Sequence, residues 1–321
     1  MYPLLLEAPL KDYIWGGSKL KDEYGFVSDM DRVSEAWVLS CHEDGKCIIK
    51  NGRLSGKTLN EAILEWGSAS LGSRADLNEM PILVKLIDAK NRLSVQVHPN
   101  DEYARKNEND NGKTELWYVI DCCEGAKLVY GLNKAISKEE FERHISDNTL
   151  DSVLNYVDVH KGDAFFITSG TIHAIGAGIL IAEIQENSNV TYRVSDYGRL
   201  GADGKPRQLH VKKAVEVSNL SPSDYPYGAI GETVKSGNVT FRRIISCQYF
   251  TGGVIAMNAS ADYSICEKNT FVSLVVLKGS AALFYDGVSM DIPKGRSVFI
   301  PAGIECRIHS NESTEILYSS L

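Results

Sequence analysis

Short runs of alternating hydrophobic and polar residues make up most of the chain, and turns that contain glycine separate them. A period of two is typical of β-strands that bury one face and expose the other. Many short strands joined by glycine turns indicate a β-sandwich or jelly roll rather than alternating βαβ units. The pattern therefore predicts a mainly β protein.

Helical spacing is confined to a few short segments. We expect helices within residues 57–72, 137–150 and 211–219, and a helical turn after Asn100. Ser137 and Glu140 have the spacing of a capping box, which marks the start of a helix. The run ELWYVIDCCEGAKLVYG is expected to form a β-hairpin about Glu124 and Gly125.

The C-terminal part of the chain repeats a pattern from the first half. The run KGDAFFITSGTIHAI, which starts at Lys161, aligns without gaps on KGRSVFIPAGIECRI, which starts at Lys294. His173 falls opposite Cys306 in this alignment. Beyond residue 232 the sequence reads as short strands only. We therefore expect two related β-rolls with a few short helices.

The strongest chemical signal is the pair Gln96 and His98, two residues apart in the alternating run LSVQVHPND. On a strand, side chains at this spacing point to the same face. Glu115 opens the next apolar run, and His173 follows later in the chain. One amide oxygen, two imidazoles and one carboxylate are donors that suit zinc and leave room for a substrate or water. The alternative is two hydrogen-bonded core histidines, with Glu115 paired to Lys113.

A linker candidate divides the chain between the two rolls. Residues 221–228, SPSDYPYG, have the proline, serine and glycine content of a connecting segment. The predicted domains are residues 1–228, which carry the zinc site and the helical segments, and residues 229–321, a β-roll without metal ligands.

Composition narrows the classes of partner and location. A net charge of −8 argues against nucleic acid or an anionic membrane as a partner. No apolar run reaches the roughly 18 residues of a membrane span, and the N-terminus lacks the pattern of a signal peptide. The seven cysteines are scattered without a CxxC pair, which favours a reducing compartment over a disulfide framework. We therefore expect a cytoplasmic protein.

Charged and aromatic residues outside the metal set have two interpretations each. Lys85 interrupts the apolar run PILVKLIDA, so it either meets a partner or ligand inside the protein or reaches solvent. Trp15, in a WGG sequence, is by itself only a sign of a buried ring beside a tight turn. The polar run of residues 186–210, which includes Arg193 and Arg207, is either a loop that lines the site or an exposed connector.

Several of these segments together resemble the type I phosphomannose isomerases (mannose-6-phosphate isomerases) in their short bacterial form. The resemblance extends from residue 15 to about residue 210. The matching segments are Trp15-Gly16, PILVKLIDA, LSVQVHPND, KTELWYVI, GTIHAIGAG and AEIQENSNVTYRVSDYGR. A QVHPN sequence followed by KxE and a later GTxHA is a specific combination.

The resemblance implies a cupin-type fold and one zinc ion. It implies as metal ligands the four residues Gln96, His98, Glu115 and His173. It implies as substrate-binding residues Trp15, Lys85, Ser94, Lys113 and Arg193. It also implies a role in catalysis for Arg193, which follows Glu183 by ten positions as in the family. Two departures stand out: the large helical insertion of the longer members is missing, which predicts a more open site, and Ile175 replaces the usual aromatic residue.

The implied reaction interconverts mannose 6-phosphate and fructose 6-phosphate through an enediol or enediolate. A base must remove a proton from C2 of the open-chain sugar and return it to C1. A metal ion can stabilise the developing negative charge, and an arginine or lysine can hold the phosphate. The candidate bases are Glu183, Lys113, a zinc-bound water and His42, and the sequence does not choose among them. The predicted catalytic residues are therefore Arg193, Glu183 and Lys113.

Two other functions are compatible with the same residues. A cupin with two histidines and one glutamate also suits iron and O₂ chemistry, but Gln96 and the flanking segments disfavour it. A non-catalytic module that binds sugar phosphates is the other alternative, and the full ligand set of the first roll speaks against it. In each case the expected partner is a small sugar phosphate, and we expect the protein to be a monomer.

Overall fold

The structure is a computed structural model that describes residues 1–75, 79–201 and 204–321. Strands predominate, and the few helices are short. The strands are β1 (Leu4–Glu7), β2 (Leu10–Lys11), β3 (Glu35–Leu39), β4 (Ile48–Ile49), β5 (Ile82–Ala89), β6 (Val95–Val97), β7 (Glu115–Cys122), β8 (Lys127–Leu132), β9 (Leu154–Asp158), β10 (Ala164–Ile167), β11 (His173–Ala174), β12 (Ile179–Glu186), β13 (Tyr192–Ser195), β14 (Tyr227–Gly228), β15 (Glu232–Ser236), β16 (Val239–Ser246), β17 (Thr251–Met257), β18 (Ala261–Ile265), β19 (Val272–Lys278), β20 (Ala281–Tyr285), β21 (Val288–Ile292), β22 (Ser297–Ile300), β23 (Cys306–Ser310) and β24 (Thr314–Ser320). The α-helices are α1 (Lys19–Asp22), α2 (Leu59–Trp66), α3 (Asp101–Asn107), α4 (Lys138–Ser146) and α5 (Val211–Val217). Among the described helices, none has the length and apolar character needed to cross a membrane.

The predicted helices form, and their caps explain where they begin. The side chain of Thr58 accepts from the N–H of Glu61 at the start of α2, while Glu61 bonds back to the N–H of Thr58. Ser137 and Glu140 make the same reciprocal pair at the start of α4. Such a pair satisfies N–H groups that a helix start otherwise leaves unpaired. The capping box predicted for residues 137–150 is thus confirmed.

Two sheets form the N-terminal roll. One has seven strands in the order β14-β10-β7-β12-β5-β3-β2, and the other has five in the order β13-β6-β11-β8-β9. Trp117 of β7 and Tyr130 of β8 belong to one hydrophobic cluster, which fills the space between the two sheets. Helices α4 and α5 cover the five-stranded sheet on its other side, through a cluster that includes Phe141 and Ala214.

The C-terminal roll has an eight-stranded sheet, β15-β16-β17-β24-β19-β22-β1-β4, and a four-stranded sheet, β18-β23-β20-β21. Their shared cluster includes Ile255 and Leu283. A further cluster joins the two large sheets, because it contains Leu116 of β7 together with Phe299 of β22 and Leu317 of β24. The protein is therefore a stack of four sheets, with the two largest in the middle.

The two rolls have the same strand order, so the prediction of related rolls is confirmed. The strands β10-β7-β12-β5-β3 of the first correspond to β22-β19-β24-β17-β16 of the second, and β6-β11-β8-β9 correspond to β18-β23-β20-β21. The run from Lys161 supplies β10 and β11, and the matching run from Lys294 supplies β22 and β23.

The predicted hairpin about Glu124 and Gly125 is wrong. β7 and β8 lie in different sheets, so the chain crosses from one sheet to the other at this turn. β7 pairs with β10 and β12, while β8 pairs with β9 and β11. A glycine turn between two apolar runs has the same local signature in a hairpin and in such a crossing.

The N-terminal strands take part in both rolls. β1 pairs with β22 and with β4 in the eight-stranded sheet, whereas β2 and β3 belong to the seven-stranded sheet. β14, at the end of the linker candidate, pairs with β10. The division of the chain at residue 228 stays a prediction.

Candidate active site

Polar side chains gather at one end of the space between the two sheets of the N-terminal roll. Along β12, Ile179 and Ile181 belong to the inner hydrophobic cluster, and Glu183 follows at the same two-residue spacing. In the sheet register Glu183 lies between Lys85 of β5 and Trp117 of β7. Because alternate residues of a strand share a face, the apolar interior gives way here to charged groups.

Three of the predicted ligands converge. The candidate donor atoms of His98, Glu115 and His173 all lie within 4.8 Å of one another, and all three residues are buried. The two Nε2 atoms are 3.1 Å apart, and the Nε2 of His98 lies 3.3 Å from Oε1 of Glu115. Residues from β7 and β11 and from just beyond β6 thus meet at one point.

The hydrogen bonds of the two imidazoles determine where their protons are. The Nδ1–H of His98 donates to the carbonyl of Val190 at 2.7 Å, and the Nδ1–H of His173 donates to the carbonyl of Thr171 at 2.8 Å. Each Nε2 therefore presents a lone pair, which is the form that ligates a metal. Burial and the nearby Lys113 lower the pKa of His98, and burial lowers the pKa of His173 to about 3.

The carboxylate of Glu115 has one free oxygen. Its Oε1 contacts the ammonium of Lys113, while its Oε2 is buried and has no hydrogen-bond partner among the described residues. Burial raises the pKa of this carboxyl, but Lys113 and the two imidazoles outweigh it, and the pKa of Glu115 lies well below its usual range. A buried, ionised oxygen without a hydrogen-bond partner is unfavourable, and a cation bound beside it would offset this cost.

Gln96 lies beside the same point. It pairs with His173 in the register of β6 and β11, and its amide nitrogen is 3.4 Å from the Nε2 of that imidazole. Its amide oxygen accepts from Ser94 at 3.4 Å. Rotation of the amide by half a turn exchanges its two ends, so Gln96 can present its oxygen to the point shared by the histidines.

Lys85 lies at the centre of a second cluster of charged side chains. Its ammonium lies 3.4 Å from Oε1 of Glu183 and 4.0 Å from Oε2 of Glu35. The indole N–H of Trp117 donates to Glu183, and that of Trp37 donates to Glu35. Lys85 is therefore buried and paired rather than directed to solvent.

Burial and neighbouring charges shift the pKa values of Glu183 and Lys85 in this cluster. Burial and the nearby carboxylate of Glu115 raise the pKa of Glu183, although Lys113 and Lys85 oppose the shift. Burial lowers the pKa of Lys85, but Glu35, Glu183 and Glu115 outweigh it and hold this pKa above its ordinary value. The site thus keeps a charged lysine next to a carboxyl that is more basic than usual.

A cavity of about 300 Å³ lies beside the cluster around Lys85 and beside Gln96 and Lys113. The predicted site residues that line it are Trp15, Lys85, Ser94, Gln96, Lys113, Glu183 and Arg193. His98, Glu115 and His173 lie behind this lining and contact Gln96 and Lys113. His42 borders a different cavity, with Cys41 and Asn60, so the structure does not bring this candidate base to the site.

The run of residues 186–210 lines the site in part. The guanidinium of Arg193 donates to the hydroxyl of Ser94 and to the carbonyl of Gln208. Arg207 also lines the cavity, and its guanidinium bonds Asp196. Burial and the neighbouring Arg207 lower the pKa of Arg193, so two like charges face the same space.

Sequence reasoning missed six of the polar or aromatic residues around the cavity or left them without a role: Tyr13, Glu35, Asn189, Thr191, Arg207 and His210. The isolated Glu35 at the start of an otherwise apolar strand was a signal of the same kind as Lys85. Tyr13 stacks on Trp15, with the ring centroids 5.4 Å apart, and nothing in its local sequence marks it.

Comparison with known proteins places the chain in one group. A family model, Phosphomannose isomerase type I, catalytic domain, matches residues 4–123. The chain is 38% identical over 303 residues to the mannose-6-phosphate isomerase ManA of Bacillus subtilis, with 94% of each chain covered. It is 33% identical over 303 residues to the mannose-6-phosphate isomerase of Streptococcus mutans, with 94% of this chain and 93% of that one covered.

Solved structures of mannose 6-phosphate isomerases have the same fold as this chain. The crystal structure of the mannose 6-phosphate isomerase from Bacillus subtilis matches with a TM-score of 0.90 at 33% identity, and 100% of both chains is covered. A zinc-bound structure of a mannose 6-phosphate isomerase has the same fold, with a TM-score of 0.77 at 18% identity. Since relatives of this similarity cover nearly the whole sequence, the chain belongs to the type I mannose-6-phosphate isomerases.

Proposed function

We propose that the protein interconverts mannose 6-phosphate and fructose 6-phosphate, with one zinc ion held by Gln96, His98, Glu115 and His173. The observation that carries this proposal is the pair of deprotonated Nε2 atoms, 3.1 Å apart beside a buried carboxylate. Relatives that match over nearly the full length bear the name of this isomerase, and a solved isomerase of the same fold contains zinc.

The donor set fits zinc. Two imidazole nitrogens with lone pairs face each other, and the buried Oε2 of Glu115 lacks a hydrogen-bond partner among the described residues. Acceptors in this arrangement repel one another unless a cation lies between them. Nitrogen and carboxylate donors at this spacing suit zinc, and an amide oxygen from Gln96 would complete four ligands. When bound, zinc would stabilise negative charge that develops on the sugar oxygens.

The cavity has the size and charge for a sugar phosphate. Its volume of about 300 Å³ lies at the lower end of the range usual for small-molecule sites, roughly 300–1,000 Å³. Arg193 and Arg207 both line it, and burial together with Arg207 lowers the pKa of Arg193. A phosphate dianion would relieve the repulsion between these guanidinium groups, which match its geometry. We assign the phosphate to this pair.

Glu183 is the base in this proposal. Its Oε2 accepts from the indole of Trp117 at 2.8 Å, which orients the carboxyl, while its buried Oε1 lies 3.4 Å from the ammonium of Lys85. Burial and the nearby Glu115 raise the pKa of Glu183, and a carboxylate with a raised pKa is a stronger base near neutral pH. It would take the proton from C2 and return it to C1.

Lys85 and Lys113 supply positive charge to the site rather than the base. The ammonium of Lys113 contacts Glu115, and that of Lys85 lies 3.4 Å from Glu183. Both groups line the cavity, where a positive charge would stabilise an enediolate. Lys85 also keeps a cation beside the base, which favours the ionised form of Glu183 that accepts the proton.

A coupled assay for fructose 6-phosphate tests this function. We expect the purified protein to convert mannose 6-phosphate without added nucleotide, to lose this activity on treatment with a chelator, and to regain it with zinc. A protein that holds zinc but leaves mannose 6-phosphate unchanged would contradict the activity. Full turnover after complete removal of metal would contradict the metal. A monomer in the cytoplasm, with a sugar phosphate as its partner, stays a prediction.

A further inference from the structure

We infer that Gln185 is a positioning residue for the metal centre, because its side chain holds the turn whose carbonyl orients His98. Gln185 lies opposite Glu115 in the register of β12 and β7, and its amide nitrogen bonds two carbonyls of the following turn rather than a ligand. Its effect passes through the backbone of residues 186–190, which connect β12 to β13. The inference rests on the proposed function, since it concerns how tightly the chain holds the proposed zinc.

The orientation of the His98 ring depends on one carbonyl. The Nδ1–H of His98 donates to the carbonyl oxygen of Val190 at 2.7 Å, and this bond directs Nε2 toward Glu115 and His173. His98 comes directly after β6, and its backbone carbonyl accepts from the N–H of Gly170 at 2.8 Å, so the bond to Val190 acts on the ring and not on the backbone. Hydrogen bonds from the second nitrogen of a ligating imidazole commonly set its tautomer and direction.

The position of that carbonyl depends in turn on Gln185. The side-chain amide of Gln185 donates to the carbonyl of Glu186 at 2.8 Å and to the carbonyl of Ser188 at 2.6 Å. The hydroxyl of Ser188 accepts from the N–H of Val190 at 3.3 Å. Gln185 is completely buried, so these bonds form away from competing water. The amide thus folds the turn back against the end of β12.

The chemistry requires an amide at this position. Two carbonyl oxygens need two N–H donors, and the NH₂ group of glutamine supplies both. A glutamate of the same size would place a carboxylate against two carbonyl oxygens in a buried site, which is unfavourable. A methionine keeps the length and fills the space without donating. Because Gln185 lies opposite Glu115, Gln185→Glu also adds a negative charge beside that carboxylate, and Gln185→Met is the variant that reports the loss of the two hydrogen bonds alone.

The structure provides an internal control. The Nδ1–H of His173 donates to the carbonyl of Thr171, whose own N–H bonds the carbonyl of Thr168. This turn precedes β11, in the other sheet from β12, and it makes no use of Gln185. A change at Gln185 should therefore disturb the N–H of His98 and leave the N–H of His173 in place.

The test combines imidazole NMR with zinc affinity on the full-length protein. The Nδ1–H signals of both histidines are recorded with zinc and after chelation, and zinc affinity is measured by competition with a chelator. In Gln185→Met and Gln185→Glu we expect the His98 signal to shift or exchange faster, an unchanged His173 signal, and zinc binding weaker by about 10- to 100-fold. The exposed Gln248 provides the control Gln248→Glu, which should match the wild type.

Three results would overturn the inference. The first is a Gln185→Met variant with an unchanged His98 signal and zinc affinity within about twofold of the wild type. The second is equal disturbance of both histidine signals, and the third is a failure of both Gln185 variants to fold, since either would indicate a general structural role. A wild-type protein that binds no zinc would instead contradict the proposed function, and the His98 signal would still report on Gln185.

Discussion

His98 and His173 face each other with their Nε2 atoms 3.1 Å apart, and neither can donate a proton to the other. Each ring already uses its single N–H in a bond to a backbone carbonyl, Val190 for one and Thr171 for the other. Two hydrogen-bonded core histidines would share a proton at this distance. Two lone pairs that point at one place are the arrangement of a metal site.

Glu183→Gln tests the assignment of the base. The amide keeps the hydrogen bond to Trp117 but cannot accept a proton, so we expect kcat to fall at least about 100-fold with little change in bound zinc. Because burial raises the pKa of Glu183, the kcat of the wild type should rise with pH, and the midpoint of this rise should lie above the ordinary pKa of a glutamate. A variant that keeps more than half of the wild-type kcat would assign the proton transfer to another group.

Arg207→Ala and Arg199→Ala form a matched pair for the phosphate site. Both guanidinium groups pair with Asp196, but Arg207 lines the cavity, whereas Arg199 contacts the carbonyl of Arg92. We expect Arg207→Ala to raise the KM for mannose 6-phosphate about 10-fold or more, since a charged hydrogen bond to phosphate is lost. Arg199→Ala should change KM much less. Equal KM values for the two variants would contradict this assignment.

Glu186→Gln should change how stability depends on pH. Glu186 is buried and accepts from the N–H of Thr114 at 2.7 Å, next to the proposed ligand Glu115. Burial raises the pKa of Glu186 from its ordinary 4.5 to about 7. The folded protein therefore binds this proton more tightly than the unfolded chain, and the resulting stability is full below about pH 4.5 and lost as pH rises to about 7.

Glutamine keeps the acceptor but has no charge, so the variant should gain stability relative to the wild type between pH 5 and pH 8. The gain corresponds to at most about 3 kcal/mol in the free energy of unfolding. Urea unfolding at the two pH values measures it. A difference between variant and wild type that is the same at both pH values would contradict the prediction.

Gly17→Ala tests why the WGG sequence needs its second glycine. A Cβ at Gly17 would lie 2.3 Å from Oδ2 of Asp88, a buried oxygen that accepts from the N–H of Lys19 at 2.8 Å. We expect a loss of about 2 kcal/mol in unfolding free energy and a higher KM, because Trp15 lines the cavity. The exposed neighbour Ser18 makes no side-chain cap, so Ser18→Ala should match the wild type.

Much of the proposed metal site could be predicted from the sequence, because strand alternation is a local signal. Gln96 and His98 could be placed on one face from their spacing, and the resemblance of the runs from Lys161 and Lys294 predicted the second roll. Contacts between site residues that are far apart in the sequence could not be predicted. Glu35 reaches Lys85 from a neighbouring strand, and no local pattern relates two residues so far apart in the chain.

Strand pairing was also beyond local patterns. β1 finds its partner β22 almost at the other end of the chain, and the turn at Gly125 leads to the opposite sheet rather than to a hairpin. Which sheet a strand joins is decided by the apolar surface it buries there. For β7 that surface is divided between two clusters, since Leu116 packs toward the C-terminal roll and Trp117 toward the N-terminal interior.

Zinc content of Glu115→Ala tests the central claim most directly. Metal-free wild type, the variant and the control His160→Ala, at an exposed histidine, are dialysed against zinc and analysed for metal. The convergence of His98, Glu115 and His173 predicts about one tightly bound zinc per chain in the wild type and the control, and almost none in a folded Glu115→Ala variant. A variant that keeps its full share of zinc, or a wild type that takes up none, would contradict the account.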